Sequence, residues 1–361
     1  MNQSSLSGVD HIEIYVFNAF QAANFYRATF GFDIIAYAGP ETGLKDQISY
    51  LLLQGSICLL ISSTSNRDSP LFKHVIYHDE GVKDIAFITN NVARSYENAL
   101  IAGATSILEP TEFYDGKVRI RKATIGAFGK TVHSFIEREN TSFCELPLYT
   151  SLNYPTNKNP VGLKNIDHFA IAVDTGSIAK WQKFYENVLG FSVFSGEDVY
   201  TNDSGMKSVV VTNSTQTIKL VLVEGVSIKK KSQIENYISH HGCEGVQHLA
   251  FLSDDIIKTS RLLQNQGIKF LEIPETYYDK IPALLRKRLQ HKMDVITHSN
   301  ILVDLEQDGY LMQMFTRPLQ NLPTFFIEIV QRENSTGFGS NNIKALFEAV
   351  EQDQRRAMID V

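Results

Sequence analysis

Within residues 8–37, GVDHIEIYVFNAFQAANFYRATFGFDIIAY, apolar and polar positions alternate directly after Asp10 and His11, the period of a half-buried strand. The period then lengthens to that of a helix with an aromatic stripe ending in FYRATFGF. Gly31 stands where a helix C-cap would, and the strand period returns after it. The same order recurs over residues 165–194, NIDHFAIAVDTGSIAKWQKFYENVLGFSVF, with Gly190 in the place of Gly31. A second pair follows: GVKDIAFITNNVARSYENALIAGA at 81–104 matches GVQHLAFLSDDIIKTSRLLQNQGI at 245–268, each a short strand and a helix ending near Gly103 or Gly267. The chain is therefore a duplication built of strand–helix–strands units.

Other patterns complete the outline. MKSVVVTNSTQTIKLVLVEG, 206–225, reads as two strands around an Asn-Ser-Thr-Gln turn. Ser232 and Glu235 have capping-box spacing for a short helix. In the tail GSNNIKALFEAVEQDQRRA, 339–357, Ile343, Leu346, Phe347 and Val350 fall at helical spacing, so an amphipathic helix is expected there. LNYPTNKNPVGL, 152–163, is polar with two prolines and reads as a linker between a first domain, 1–151, and a second, 164–361.

Composition narrows the function classes. The 361 residues suffice for two ordinary domains, and 43% apolar with 20% charged residues is normal for a globular chain. A net charge of -6 argues against a nucleic-acid partner, and the one dense basic run, Lys229-Lys230-Lys231, reads as a solvated loop. No apolar run approaches a membrane span, and the N-terminus has no hydrophobic signal core. Cys58, Cys144 and Cys243 are far apart and odd in number; no disulfide framework or CxxC metal site is expected from them, which favours a reducing compartment. The expectation is a cytoplasmic protein acting on a small molecule.

Three metal ligands are suggested by position in the repeat. His168 lies on the first strand of the second half, His248 on the first strand of that half's second unit, and Glu328, in PTFFIEIVQRE, on a late strand among apolar neighbours. Two imidazoles and a carboxylate on a rigid sheet leave positions open on an octahedral metal, as oxygen chemistry requires. A lone strand histidine is more often a core or surface residue than a ligand, and Glu328 alone would pass for a solvent-facing residue. Comparing the halves changes those odds. His11 corresponds to His168, but Asp84 stands for His248, and aligning RENTS at 138–142 with RENST at 332–336 puts Ser134 opposite Glu328, with His133 one residue out of register. The first half is expected to carry a degenerate site.

At these residues the chain resembles a known family. IDHFAIAV, GVQHLAF and FFIEIVQR are similar to the ligand motifs of the 4-hydroxyphenylpyruvate dioxygenases and 4-hydroxymandelate synthases, members of the vicinal oxygen chelate superfamily. The likeness extends through KSQIENYISHHGCEGVQHLAF, ETYYD at 275–279, DGYLMQMFTRP at 308–318 and GFGSNNIKALFEAVE at 337–351. It implies an α+β, glyoxalase/dioxygenase-like fold of paired βαβββ modules forming open barrels in two tandem domains. It implies iron(II) at His168, His248 and Glu328, an aryl α-keto acid substrate that chelates the metal, dioxygen as co-substrate, and a homodimer.

The two branches of the family share oxidative decarboxylation of 4-hydroxyphenylpyruvate and then part. The dioxygenase oxidises the ring and gives homogentisate; the synthase hydroxylates the benzylic carbon and gives 4-hydroxymandelate. Dioxygenases resemble one another in a Pro-Ile-Asn-Glu-Pro strand, where this chain has VLVEG at 221–225, with Val221 and Val223 at the proline and asparagine positions. They also end GFGxGNF in phenylalanine, where this chain reads GFGSNNI and ends in Ile343. The SNNIKAL wording and Val223 are similar to the synthases, so the resemblance implies 4-hydroxymandelate synthesis first and homogentisate formation as the alternative. The competing explanation is neutral drift of both positions within a dioxygenase.

Other substrate-contact candidates carry over from the resemblance: Ser208, Gln247 and Gln313 as polar groups, and Phe315 and Phe338 as ring-packing groups, with Val223 and Ile343 as walls. Each polar one is equally compatible with an ordinary strand residue, and buried phenylalanine is commonly plain core. Two further readings are weaker: an extradiol catechol dioxygenase, which also uses two histidines and a glutamate but is disfavoured by the likeness of the GFG-helix segment to the keto-acid branch, and a binding module without a metal, which the intact triad argues against.

Overall fold

Leu6–Tyr15, where the alternation begins, is a strand (β1), and Ala19–Phe30 is the helix after it (α1), capped at its start by the Asn18 side chain on the Gln21 amide and at its end by Gly31 at φ 78°. The computed structural model describes residues 6–359 except 140, 158–159, 307–308 and 321, and gives only the helical course beyond 350. Asn140 of the RENTS match, Asp308 of the DGYLMQMFTRP match and residues 158–159 of the linker thus lie outside the described residues.

The first half continues as β2 (Asp33–Ala38), β3 (Ile48–Gln54), β4 (Ile57–Ser63), α2 (Pro70–His78), β5 (Gly81–Thr89), α3 (Val92–Ile101), β6 (Ser106–Tyr114), β7 (Arg119–Gly126), β8 (Val132–Arg138) and the short β9 (Thr150–Ser151). The second half runs β10 (Leu163–Val173), α4 (Ile178–Val188), β11 (Ser192–Tyr200), β12 (Ser204–Thr212), β13 (Lys219–Ser227), α5 (Gln233–His241), β14 (Gly245–Ser253) and α6 (Ile256–Asn265). Three short helices, α7 (Glu275–Asp279), α8 (Ala283–Arg288) and α9 (Met293–His298), precede β15 (Leu302–Glu306), β16 (Gly309–Phe315), β17 (Phe326–Glu333) and the final helix α10 (Ser340–Ile359).

Each half contains two βαβββ modules. β1 lies parallel to β4 and antiparallel to β5; β10 repeats this with β13 and β14. The strand orders are β6-β7-β8-β5-β1-β4-β3-β2-β9 and β11-β12-β13-β10-β14-β17-β16-β15, so the second sheet reproduces the first without its terminal strand. Helices α7–α9 have no counterpart in the first half. The capping box of Ser232 and Glu235 forms at the start of α5 as its spacing suggests. Lys229–Lys231 lie exposed in the loop before it.

One apolar core runs through both halves, since neither sheet covers its helix-bearing face alone. Phe32 meets Phe251 at 6.2 Å, Phe87 meets Phe191 at 6.3 Å, and Phe128 sits edge-on to Trp181 at 6.1 Å. His133 belongs to this core. Its Nε2 lies 3.0 Å from the Tyr185 hydroxyl, on the face of β8 opposite to Ser134, as alternation along a strand requires. Among the described residues no helix is long and apolar enough to cross a membrane.

The cysteine reading needs correction. Cys58 on β4 and Cys144 after β8 form a disulfide, 86 positions apart in sequence. Both are buried in a separate apolar cluster with Leu51, Leu60, Val118, Ile120 and Leu146. Sheet pairing brings the two segments together, which spacing along the chain could not reveal. The cysteine argument for a reducing compartment lapses with it.

Candidate metal centre

His168, His248 and Glu328 stand on three adjacent strands, β10, β14 and β17. Ala250 on β14 pairs with His168 on one side and Glu328 on the other, while His248 lies two residues back on the same face. The Ala250 methyl is fully buried and small enough for the three longer side chains to lean together over it. Glu328 Oε2 is 3.1 Å from His168 Nε2 and 3.2 Å from His248 Nε2. All three side chains are buried, and their donor atoms lie within 4.8 Å of one another.

The orientation of each donor is fixed from behind. His168 donates Nδ1–H to Asp167 Oδ1 at 2.9 Å, so Nε2 is the nitrogen that faces the centre. Asp167 is gripped by Arg332 through two bonds, Nε to Oδ2 at 2.7 Å and Nη2 to Oδ1 at 2.8 Å. His248 Nδ1 points to Gln247 Oε1 at 3.3 Å, and its ring stacks on Phe326 at 4.6 Å. Gln313 Nε2 donates to Glu328 Oε1 at 2.8 Å, and Gln313 Oε1 accepts from Asn342 Nδ2 at 2.9 Å. Asn342 Oδ1 in turn accepts from the Tyr277 hydroxyl at 2.6 Å.

The electrostatics follow from this packing. Burial pushes the Glu328 carboxyl up, but the charge and hydrogen bonds of His168, with those of His248, outweigh it and bring it down to about 2. Burial pulls His168 down, but Glu328 and Asp167 outweigh it and raise it to about 9. His248 ends below its ordinary value because burial dominates there.

The centre lies in the wall of a mostly apolar cavity. Ser208, Val223, Gln247, Gln313, Phe315, Phe338 and Ile343 all line it, together with His168, His248 and Glu328. Two of the polar ones already bond within the protein. Ser208 gives its proton to the Glu197 carbonyl at 3.0 Å, and Gln313 is committed at both ends of its amide to Glu328 and Asn342. Phe338 packs edge-on against the His168 ring at 5.1 Å. Sequence reasoning missed Met206, Gln233, Ile234, Phe326 and Leu346 as lining residues. Phe326 had a readable signal: it is two residues from Glu328 and therefore shares its face.

The first half shows what the same framework does without the centre. Arg138 grips Asp10, which bonds His11 Nδ1, as Arg332 and Asp167 serve His168. His11 and Ser134 flank Ala86, the counterpart of Ala250. Asp84, however, accepts from the Ser134 amide and hydroxyl and pairs with Lys122 Nζ at 3.3 Å. Glu13 accepts from Gln47 at 2.9 Å and Ser62 at 2.7 Å. A lysine supplies the positive charge here, and the carboxylates are satisfied by protein.

Two imidazole nitrogens and one carboxylate oxygen converging on one point suit a divalent transition metal that keeps open positions, and the cavity supplies room on that side. The fold is of the vicinal oxygen chelate type, α+β with tandem βαβββ modules, and the donor set is a candidate metal site within it. The model of the Glyoxalase/Bleomycin resistance protein/Dioxygenase superfamily matches residues 8–124 and 165–280. The chain is 37% identical to the 4-hydroxyphenylpyruvate dioxygenase of Yarrowia lipolytica, over 98% of this chain and 93% of that one. It is 36% identical to that of Dictyostelium discoideum, over 97% and 98% respectively. A solved triple mutant of 4-hydroxymandelate synthase from Streptomyces coelicolor superposes with a TM-score of 0.86 at 31% identity, over 97% of this chain and 99% of that one. The chain belongs to the 4-hydroxyphenylpyruvate dioxygenase family.

Proposed function

We propose that His168, His248 and Glu328 hold iron(II), and that the protein oxidatively decarboxylates 4-hydroxyphenylpyruvate and hydroxylates its benzylic carbon to give 4-hydroxymandelate and carbon dioxide. The convergence of the three donors at an apolar cavity carries this reading. Iron(II) bound there would activate dioxygen toward a keto acid chelated to it.

The protein's own part is to place and enclose. Glu328 offsets one of the metal's two charges, and an anionic keto acid would offset the other. Phe315, Phe326, Phe338, Ile343 and Leu346 keep the cavity apolar, which excludes water from the reacting atoms. Val223, opposite Ser208 on the neighbouring strand, presents methyl groups where an amide would grip a polar group, and Ile343, on the first turn of α10, presents a narrow aliphatic wall. A wall with no amide and one ring fewer favours a pose that brings the methylene, not the ring, to the oxidant.

A second reading, ring oxidation to homogentisate, is favoured by the names of the full-length relatives at 36–37% identity. Proton NMR of the product formed from 4-hydroxyphenylpyruvate with iron(II) and ascorbate in air separates them. The two products are isomers, so mass does not. A benzylic CH–OH signal supports the synthase reading, and a trisubstituted ring supports the dioxygenase reading. Absence of either product, with active protein toward another aryl keto acid, would overturn the substrate assignment.

A further inference from the structure

A second group of metal-ligating side chains lies away from the cavity, where the halves meet. His78 ends α2 in the first half; His241 ends α5, and Cys243 follows it across the Gly242 turn in the second. One donor atom from each lies within 4.8 Å of the others. We propose that His78, His241 and Cys243 form a binding site for zinc(II) that clips the two halves together.

Geometry carries the proposal. Cys243 Sγ is 3.6 Å from His78 Nδ1 and 3.6 Å from His241 Nδ1. A tetrahedral ion with Zn–S of about 2.3 Å and Zn–N of about 2.05 Å sets the sulfur–nitrogen edge at about 3.6 Å. Both sulfur–nitrogen edges thus already have the length zinc needs. Each imidazole now donates Nδ1–H to a carbonyl, His78 to His241 at 2.8 Å and His241 to Cys243 at 3.0 Å. Ligation through Nδ1 requires each ring to turn off its carbonyl, moves those protons to Nε2, and releases the thiol proton to solvent. His78 and Cys243 are half-buried, which leaves a fourth position open to water.

The donor chemistry sets the choice of ion. A thiolate with two imidazoles selects zinc, whereas the catalytic trio has no sulfur. Lys83 and Lys130 stand close to the thiol and their charge opposes a bare cation, while burial pushes the Cys243 thiol above its ordinary value, so only an ion with strong affinity for sulfur displaces its proton. The turn is held in place from the first half, since Gly129 approaches so closely that a Cβ there would lie 2.0 Å from the Glu244 carbonyl and 3.1 Å from Cys243 Sγ. At the other end of α5, Gln233 and Ile234 line the catalytic cavity, so an ion at its C-terminus fixes a helix that shapes that cavity.

Cobalt(II) is the probe, because a thiolate-to-cobalt charge-transfer band in the near ultraviolet requires a sulfur ligand and the catalytic trio has none. The full chain, stripped of metal, is titrated with cobalt(II) alone. The expected band appears in the unaltered protein and in Glu328→Ala, and is lost in both Cys243→Ser and His78→Ala. Zinc added in excess bleaches it. A folded, unaltered protein that shows no band, or a band that survives in Cys243→Ser, would overturn the proposal. Two imidazoles and a thiol that merely stabilise a turn would give that negative result.

Discussion

Gln313 donates its amide proton to Glu328 Oε1 across 2.8 Å, which leaves Oε2 as the oxygen that faces both imidazoles. Gln313 is itself held by Asn342 on α10, and Asn342 by Tyr277 on α7. The carboxylate is thereby set by the C-terminal helix and by the helical insertion that only the second half has. Gln313→Leu should lower metal affinity about 10- to 100-fold with the fold intact. Calorimetric titration of the metal-free protein measures it; an unchanged affinity would show that strand geometry alone orients Glu328.

Metal uptake should be coupled to protons. In the metal-free protein His168 titrates at about 9, above its ordinary 6.5, so the stability its ion pair gives is fully present below pH 6.5 and lost as pH rises through 9. Glu328, lowered from 4.5 to about 2, gives stability present above pH 4.5 and lost as pH falls through 2. A divalent ion takes the place of the His168 proton. Binding at pH 7 to 8 should therefore release about one proton per ion, and affinity should rise with pH up to 9. Calorimetry in buffers of different ionisation enthalpy reads this directly, and no dependence on the buffer would contradict it.

The disulfide should matter to stability and not to chemistry. Cys58 and Cys144 close a loop of 86 residues, and none of their apolar neighbours lines the catalytic cavity. Replacing both by alanine should cost about 2–4 kcal/mol of unfolding free energy. Denaturant unfolding measures that loss, and turnover at a temperature where the variant stays folded should be unchanged.

Val223 and Ile343 should bias the outcome of the reaction. Val223→Asn with Ile343→Phe restores an amide on β13 and a ring on α10 within the cavity wall. The fraction of homogentisate among products should rise, as chromatography against standards would show. An active double variant with an unchanged ratio would place control in other lining residues such as Met206 or Leu346.

Much of this was legible in the sequence, for a reason particular to the chain. Duplication let each half gloss the other: the registers His168–Ala250–Glu328 and His11–Ala86–Ser134 are the spatial form of an alignment made on letters alone. What stayed hidden depends on cross-strand or cross-half approach. Gln313 reads as an ordinary strand polar residue until β16 is paired with β17, and Cys58 with Cys144 until β4 and the segment after β8 share a face. His78 and Cys243 are 165 residues apart and meet only because the halves pack. Helices α7–α9 interrupt the repeat, so comparison of the halves gave no guide to them.

Turnover is expected to depend on a single iron(II) centre formed by His168, His248 and Glu328. The most direct test of this dependence is anaerobic titration of the metal-free protein with iron(II), followed by turnover in air, for the unaltered chain and for Glu328→Ala. One iron(II) per chain with turnover is expected in the first, and neither tight iron nor turnover in a folded second. Full turnover by Glu328→Ala would contradict it.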